Sequence, residues 1–431
     1  EINPAYVNEL EARSRARRDR VRLEVRPGSA FEIDWEEQLG RLPEPVLVIG
    51  NPPWVTNAQI GAIQGANLPA KSNARGLRGL DARTGRSNFD ISEWLLVRLL
   101  EALRGRRGTL AMLCKTAVAR KVLAHAWEHG PEVKDAEIHA IDAASHFDAR
   151  VSACLLLAST AGTPGPCACR VYRRLGEDVP ENTLGFHAGR LLADVAAYDG
   201  WRHLEGEDAF YRWRSGIKHD CTKVMELREE GGRLCNGLGE AVAIEDEYLY
   251  PMRKSSDLHK DGMRRAARWM IVPQRTIGDD TATIRRRGPR TWAYLQAHGA
   301  ALDRRASSIY CGRARFAIFG VGTYTFAPWK VAISGLYKAL RFTVVGPRAG
   351  KPVVLDDTAY FLACRTEEEA VCLAGLLNSP PARTFYSAFV FWDAKRPITA
   401  EILRRLDLHA LAREEASVPG SSSPVRGGRE T

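Results

Sequence analysis

The stretch Val46-Leu47-Val48-Ile49-Gly50-Asn51-Pro52-Pro53-Trp54 constrains this chain more than any other. Its five apolar or small residues predict a buried strand. Two consecutive prolines end that strand, because neither ring nitrogen can donate a ladder hydrogen bond. In an open α/β sheet the C-terminal strand end is where ligands bind. Asn51 brings a side-chain carbonyl acceptor, and the Pro52 peptide carbonyl places a second acceptor beside it. The fixed φ of each proline and its missing N–H leave a stiff loop that presents acceptors only. Trp54 adds a flat face on which a planar ring can stack. Together these groups suit an exocyclic amino group on an aromatic ring; the bland alternative is a Pro-Pro turn with a surface Trp.

The tetrad Asn51-Pro52-Pro53-Trp54 resembles the catalytic Asn-Pro-Pro-aromatic motif of S-adenosylmethionine-dependent amino-methyltransferases, above all the DNA adenine-N6 group. Similar tetrads occur in ribosomal-RNA methyltransferases and in glutamine methyltransferases acting on release factors. The resemblance implies that Asn51, Pro52, Pro53 and Trp54 are catalytic, with Asn51 also facing the cofactor. It also implies a second cofactor motif at Glu1-Ile2-Asn3-Pro4, read as a strand end turning into a helix. There the Glu1 carboxylate can accept both ribose O–H bonds. Ser29 occupies the slot that usually holds an acid for the adenine amino group, which is a departure; Asp34 is a candidate replacement, and Phe31 follows as the aromatic that covers the adenine. In Ser145-His146-Phe147-Asp148, Phe147 matches the aromatic on the far face of the flipped base, with a Phe packed under the turn as the alternative.

Around these motifs the pattern alternates between strand and helix. Val21 to Val25 alternates as a strand. Trp94, Leu95, Val97, Leu99, Leu100 and Leu103 follow helical spacing behind an N-cap at Asp90 or Ser92. Thr109 to Cys114 predicts a strand and Val118 to Trp127 a helix. Glu137 to Ile141 and Val151 to Leu157 form a hairpin, and Ala168 to Tyr172 adds a further strand. This order is the α/β signal. The long polar loop Asn57 to Asn88 sits beside the catalytic strand end, where Lys71 can meet a phosphate or remain a solvated loop lysine.

Net charge is +10, and its location matters more than its size. Residues 211–350 hold 25 Lys and Arg against 13 Asp and Glu, so this one region carries the whole excess. That is the pattern of a module gripping a polyanion. Its basic clusters include Arg253 with Lys254, Arg264 with Arg265, Arg285 with Arg286, Arg304 with Arg305, and Arg313 with Arg315. For any single cluster a solvated charged face is the alternative. Phe319-Gly320-Val321-Gly322-Thr323 superficially suggests a Gly-rich cofactor loop, but it is followed by strand-like alternation rather than a helix. Nine scattered cysteines read as reduced thiols, with no metal site. No apolar run approaches the ~18 residues that span a membrane.

The expected fold is therefore α/β: a doubly wound, Rossmann-like methyltransferase sheet with an antiparallel edge hairpin, followed by an α+β target-recognition domain. Residues 1–175 are expected to be catalytic, 176–210 a connector, 211–412 the DNA-recognition domain and 413–431 a disordered tail. The resemblance implies a gamma-class enzyme, a cytoplasmic monomer acting on double-stranded DNA with S-adenosylmethionine, in restriction–modification or phage defence. Its Gly-rich first motif would lie upstream of Glu1, so the chain reads as N-terminally truncated. The alternatives are an RNA or protein methyltransferase using the same tetrad, and a DNA-binding relative without catalysis.

Overall fold

The computed structural model describes residues 1–16, 24–55, 90–130, 133–163, 165–259 and 268–417. It divides into two compact units, Glu1–Ala196 and Ala197–Thr431. The first unit is built on one seven-stranded sheet: β1 (Val46–Gly50), β2 (Arg107–Lys115), β3 (Val133–Ile141), β4 (Ala153–Ala161), β5 (Ala168–Tyr172), β6 (Asn182–His187) and β7 (Arg190–Leu192). The spatial order is β1-β2-β4-β3-β5-β6-β7. Strand β1 runs parallel to β2, and β3 parallel to β5, while β4 is antiparallel to both of its neighbours. The expected hairpin is thus β3–β4, but it does not form the edge. Its second strand is slotted between β2 and β3, which makes β1, β2, β3 and β5 point the same way.

Local sequence explains the pieces. Leu110, Met112 and Cys114 on β2 are buried directly opposite Ala158, Leu156 and Cys154 on β4, so one register satisfies both the ladder and the core. Helix α1 (Pro4–Ala16) precedes the sheet, and α2 (Trp35–Gly40) is capped by Asp34, whose carboxylate accepts the Glu37 N–H. Helix α3 (Ile91–Ala102) buries Leu95, Leu96, Leu99 and Leu100, with Leu103 just beyond it. Each such side chain contributes about 1.5–3 kcal/mol. Helix α4 (Thr116–His129) stops at Gly130, which takes the left-handed φ of 91° and donates its N–H to Ala126.

Three expectations for this unit change. Among the described residues strand β1 lies at the edge of the sheet rather than fully buried, with Leu47 63% and Ile49 74% exposed. The stretch read as a featureless connector contains β6 and β7, which extend the sheet beyond β5. Their sequence is too short and polar to announce a strand. Of the strand expected at Val21 to Val25, Glu24 and Val25 lie in neither helix nor strand, and the rest falls outside the described residues, as do the 57–88 loop, Lys71 and Arg264-Arg265.

The second unit is α+β, with two sheets. Strands β9 (Glu226–Glu230), β10 (Arg233–Asn236), β11 (Leu249–Arg253), β12 (Arg268–Ile271) and β15 (Val354–Leu355) make one, in the order β10-β9-β12-β11-β15. Strands β8 (Arg214–Ser215), β13 (Trp329–Ser334), β14 (Thr343–Val345) and β16 (Ala359–Cys364) make the other, in the order β14-β13-β16-β8. The two strands flanking Asp356-Asp357 therefore enter different sheets. The Gly320-containing segment is a close backbone crossing: a Cβ at Gly320, whose φ is 70°, would overlap the Gly216 carbonyl. No helix opens there, and residues Thr323–Phe326 form a 3₁₀ turn before β13 begins.

Among the remaining helices are α6 (Ile284–Arg287), α7 (Glu367–Asn378), α8 (Ala400–Leu403) and α9 (Leu408–Ser417). Helices α8 and α9 are separate. Between them the backbone pairs elsewhere: Gly206 donates to the Arg405 carbonyl at 2.8 Å and Asp407 to that of Leu204 at 3.0 Å. Residues 413–417, expected in the tail, are the end of α9.

Two buried charged groups anchor this unit. Glu226 accepts from Lys254 at 2.5 Å and Arg268 at 3.2 Å, with His219 at 3.2 Å. Burial pushes its carboxyl up, but the bonds from His219 and Lys254 outweigh that and bring it down to about 2. Lys330 on β13 is fully buried, donates to the Ala327 carbonyl at 2.6 Å and lies 5.8 Å from the Phe361 ring centroid. Burial lowers its amine to about 7. Between that value and the unfolded value of about 10.4, the unfolded chain holds a proton that the folded chain does not. Stability should therefore rise with pH across this window, because protonation favours unfolding there. Lys330→Met is expected to flatten that rise and to raise the urea midpoint at pH 7, with a gain on the order of 2–4 kcal/mol. Denaturation curves at pH 7 and pH 9.5 check both effects.

Candidate active site

The site is assembled where parallel strands β1, β2 and β3 end. Behind Gly50 the tetrad follows directly: Pro52 is buried, Asn51 and Pro53 are exposed, and Trp54 is half-buried. The Trp54 indole N–H donates to the Leu113 carbonyl of β2 at 3.3 Å, which draws the ring across the neighbouring strand. On the far side, β3 leads into the short helix α5 (Ala143–Phe147). Asp142 caps it, its Oδ1 accepting the N–H groups of Ala144 at 3.1 Å and Ser145 at 3.2 Å. Its carboxyl is held below the usual range, first by the Ser145 hydroxyl and then by these amides. Asp148 ends the helix in the left-handed region at φ 48°. This short, doubly stopped helix delivers Phe147 to Trp54: their ring centroids are 5.4 Å apart at 74°, edge to face. Phe147 remains 44% exposed.

Two rings meeting this way leave no room between them for a third. Inserting a flat heterocycle with van der Waals contact on both faces needs centroids about 7 Å apart, twice the ~3.5 Å contact spacing. Stacking of a ligand between them therefore requires Trp54 or Phe147 to turn aside.

A second group of expected residues is also brought together. Glu1 accepts the Gly28 N–H at 2.9 Å through its peptide carbonyl, and its backbone nitrogen donates to the Arg26 carbonyl at 3.1 Å. Glu1 Oε1 accepts the Asn3 N–H at 2.8 Å, just before α1 begins at Pro4. Ser29 is buried, and its Oγ accepts the Phe31 N–H at 3.2 Å. Phe31 packs edge-on against Trp94 of α3 at 5.5 Å. An exposed carboxylate, a hydroxyl and an aromatic ring on two stretches joined by backbone hydrogen bonds suit the ribose hydroxyls and base of a nucleoside, so the residues present fit S-adenosylmethionine. Asp34, the candidate replacement for the missing acid, already spends one carboxylate oxygen as the cap of α2.

Helix α3 links the two groups. Its first N–H, from Ile91, donates to the Val55 carbonyl at 3.0 Å, just after the tetrad. Its cap, Asp90, is buried and pairs with Lys115 at the end of β2 at 2.6 Å. The Asp90 cap was legible from the pattern before the helix. The Lys115 partner was not, since it lies 25 residues away and carries no local signal.

The expected DNA-facing cations of the second unit fall into two sets. Arg285 and Arg286 are exposed on α6, and Arg304 is exposed with its Nε on the Ala300 carbonyl at 3.0 Å. Arg253 is half-buried on β11. By contrast, Lys254 is committed to Glu226. Arg305 donates to the carbonyls of Leu302 and Ala317, both at 2.7 Å, with its guanidinium 3.7 Å over Tyr310. These two cations brace the unit from inside, a use that a basic doublet in sequence does not reveal. Among the described residues no group of His, Cys, Asp or Glu is placed to hold a metal, and no helix is long and apolar enough to cross a membrane.

A strand-end Asn-Pro-Pro-aromatic loop facing an aromatic delivered from the end of β3 is the arrangement expected from the sequence. The comparisons show a methyltransferase. The chain is 43% identical over 413 residues to the type II methyltransferase M.NspV of Nostoc sp. (strain ATCC 29411 / PCC 7524), covering 96% of this chain and 86% of that protein. It belongs to the type II methyltransferase family. The fold is similar to that of the type IIL restriction–modification enzyme MmeI, solved in complex with DNA, at a TM-score of 0.50 and 12% identity over 90% of this chain. The chain spans about half the length of that enzyme, 49%. No protein-family model matches the chain.

Lys115→Met tests the brace between the two halves of the site. It leaves the buried Asp90 carboxylate unpaired, at a cost of about 3 kcal/mol. The expected result is a lower denaturation midpoint and faster hydrogen exchange at the start of α3, with Lys115→Arg close to wild type.

Proposed function

We propose that this type II DNA methyltransferase, acting within a restriction–modification system, modifies the N6 amino group of an adenine turned out of double-stranded DNA. The observation that carries the reading is the Asn51 loop at the end of β1, with Trp54 and Phe147 closing on each other beside it. S-adenosylmethionine, the methyl donor, supplies an electrophilic methyl group on a sulfonium sulfur. Adenine N6 is a poor nucleophile because its lone pair is delocalised into the ring. Asn51 Oδ1 and the Pro52 carbonyl accept its two N–H bonds, which favours a pyramidal nitrogen and frees the lone pair for attack. Positioning and electrostatics of this kind need no strong base. Glu1, Ser29, Phe31 and Asn51 would hold the donor, Glu1 through the ribose hydroxyls and Phe31 against the adenine.

The target base leaves the helix at a cost of a few kcal/mol, offset by stacking on Trp54 and Phe147. Cofactor residues before the tetrad and a basic unit after it support the gamma order of motifs. The exposed Arg285, Arg286 and Arg304, with Arg253, are the cations proposed to meet the DNA backbone.

Asn51→Ala is expected to lower the methylation rate by about 10²-fold or more, the scale of losing a preorganised polar partner, while duplex binding stays near wild type. Phe147→Ala is expected to weaken binding of DNA carrying an unpaired target base by about tenfold. Nucleoside digestion of the product should yield N6-methyladenine. Recovery of N4-methylcytosine, or unchanged transfer by Asn51→Ala, would sink the assignment.

A further inference from the structure

The second unit contains a cavity of about 300 Å³ whose walls include Tyr250, Phe326, Arg275, Arg287, Glu247 and Asp280. Arg275 is the group of interest there. Its guanidinium carbon lies 4.5 Å from the Phe326 ring centroid and 5.8 Å from that of Tyr250, and the two rings pack at 5.2 Å. Among the described residues that guanidinium makes no hydrogen bond or ion pair, unlike Arg305, Arg315 and Arg268 in the same unit. Its five N–H donors are therefore available at an exposed position.

The loop that presents it is built to hold still. Gln274, buried, donates to the Thr276 carbonyl at 2.9 Å and accepts the Ile318 N–H at 3.1 Å. Asp279 accepts the N–H groups of Arg275 and Thr276, both at 2.9 Å, and the Thr276 hydroxyl at 2.6 Å. Stacking on two rings restrains the guanidinium itself, so little side-chain entropy is left to lose on binding. A rigid, unpaired guanidinium on an aromatic floor is a reader in want of two adjacent acceptors.

We propose that Arg275 is a specificity-determining residue that reads the O6/N7 edge of a guanine in the DNA target, an inference that rests on the DNA-methyltransferase function above. A phosphodiester offers paired acceptors as well, but against Arg275 and Arg287 three carboxylates (Glu247, Asp279 and Asp280) line the same cavity and leave it net negative. They repel an anion and tolerate a neutral base edge. The fork of an arginine matches guanine O6 and N7, whereas glutamine matches adenine N6 and N7. Substituting one for the other should therefore change what is read.

The test uses the full chain, S-adenosylmethionine and a duplex library randomised around the methylated sites, with modified positions read by long-read sequencing. Thermal unfolding matched to wild type shows that each variant is folded. At one fixed position Arg275→Gln is expected to lose about 10- to 100-fold of the preference for guanine and to gain adenine there, and Arg275→Lys to relax it without the gain. A uniform loss over all sequences, with the salt slope of binding reduced by about one, would mean a phosphate contact and overturn the proposal. An unchanged sequence pattern would also overturn it. If the wild-type chain methylates DNA but the variants behave in either of those ways, only this inference fails. If the wild type methylates no DNA, the reading on which it rests fails first.

Discussion

The reversal of strand β4 governs the first unit. Its ladders to β2 and β3 satisfy the facing backbone groups of both, and its running direction makes those two parallel to one another. Parallel strands end at the same side of a sheet, so the loops after β1, β2 and β3 are brought together there. Without that insertion, β2 and β3 would be neighbours with no antiparallel strand between them, and the distance that the Trp54 and Phe147 side chains bridge would be different. The aromatic pair thus depends on a backbone hydrogen-bond pattern to which neither residue contributes.

Charge is used in two ways in the second unit, and composition does not tell them apart. Lys254, Arg268 and Arg305 spend their donors on Glu226 and on backbone carbonyls, compensating buried polar groups that would be costly alone. Arg285, Arg286 and Arg304 stay at the surface. The excess of positive charge over residues 211–350 is real, yet part of it is internal bracing. Lys330 goes further, being a buried amine that donates to a backbone carbonyl and tends toward the neutral form.

The site was legible in sequence to the extent that its chemistry is local. Asn51, the two prolines and Trp54 are consecutive, and Phe147 stands out between two strands, although the short helix that presents it does not. Glu1 bonds to the backbone of Arg26 and Gly28, just before the turn in which Ser29 accepts the Phe31 N–H. What escaped was non-local. Lys115 answers Asp90 from another strand, β6 and β7 are recruited to a sheet edge that their own composition does not request, and the Gly320 segment is glycine-rich because Gly216 crosses it closely. In each case the partner lies far along the chain, so no window of neighbouring residues contains the cause.

By itself the sequence determined the Asn-Pro-Pro-Trp tetrad at a strand end, the strand–helix alternation of the first unit, the charge excess of residues 211–350 and the apolar face of helix α3. These follow from proline geometry, side-chain chemistry and hydrophobic period, all of which act over a few residues. Only the tertiary structure decided that β4 lies inside the sheet, that Trp54 and Phe147 close on each other, and which basic side chains are spent internally. Those outcomes depend on which distant backbone and side-chain groups satisfy one another's hydrogen bonds and charges.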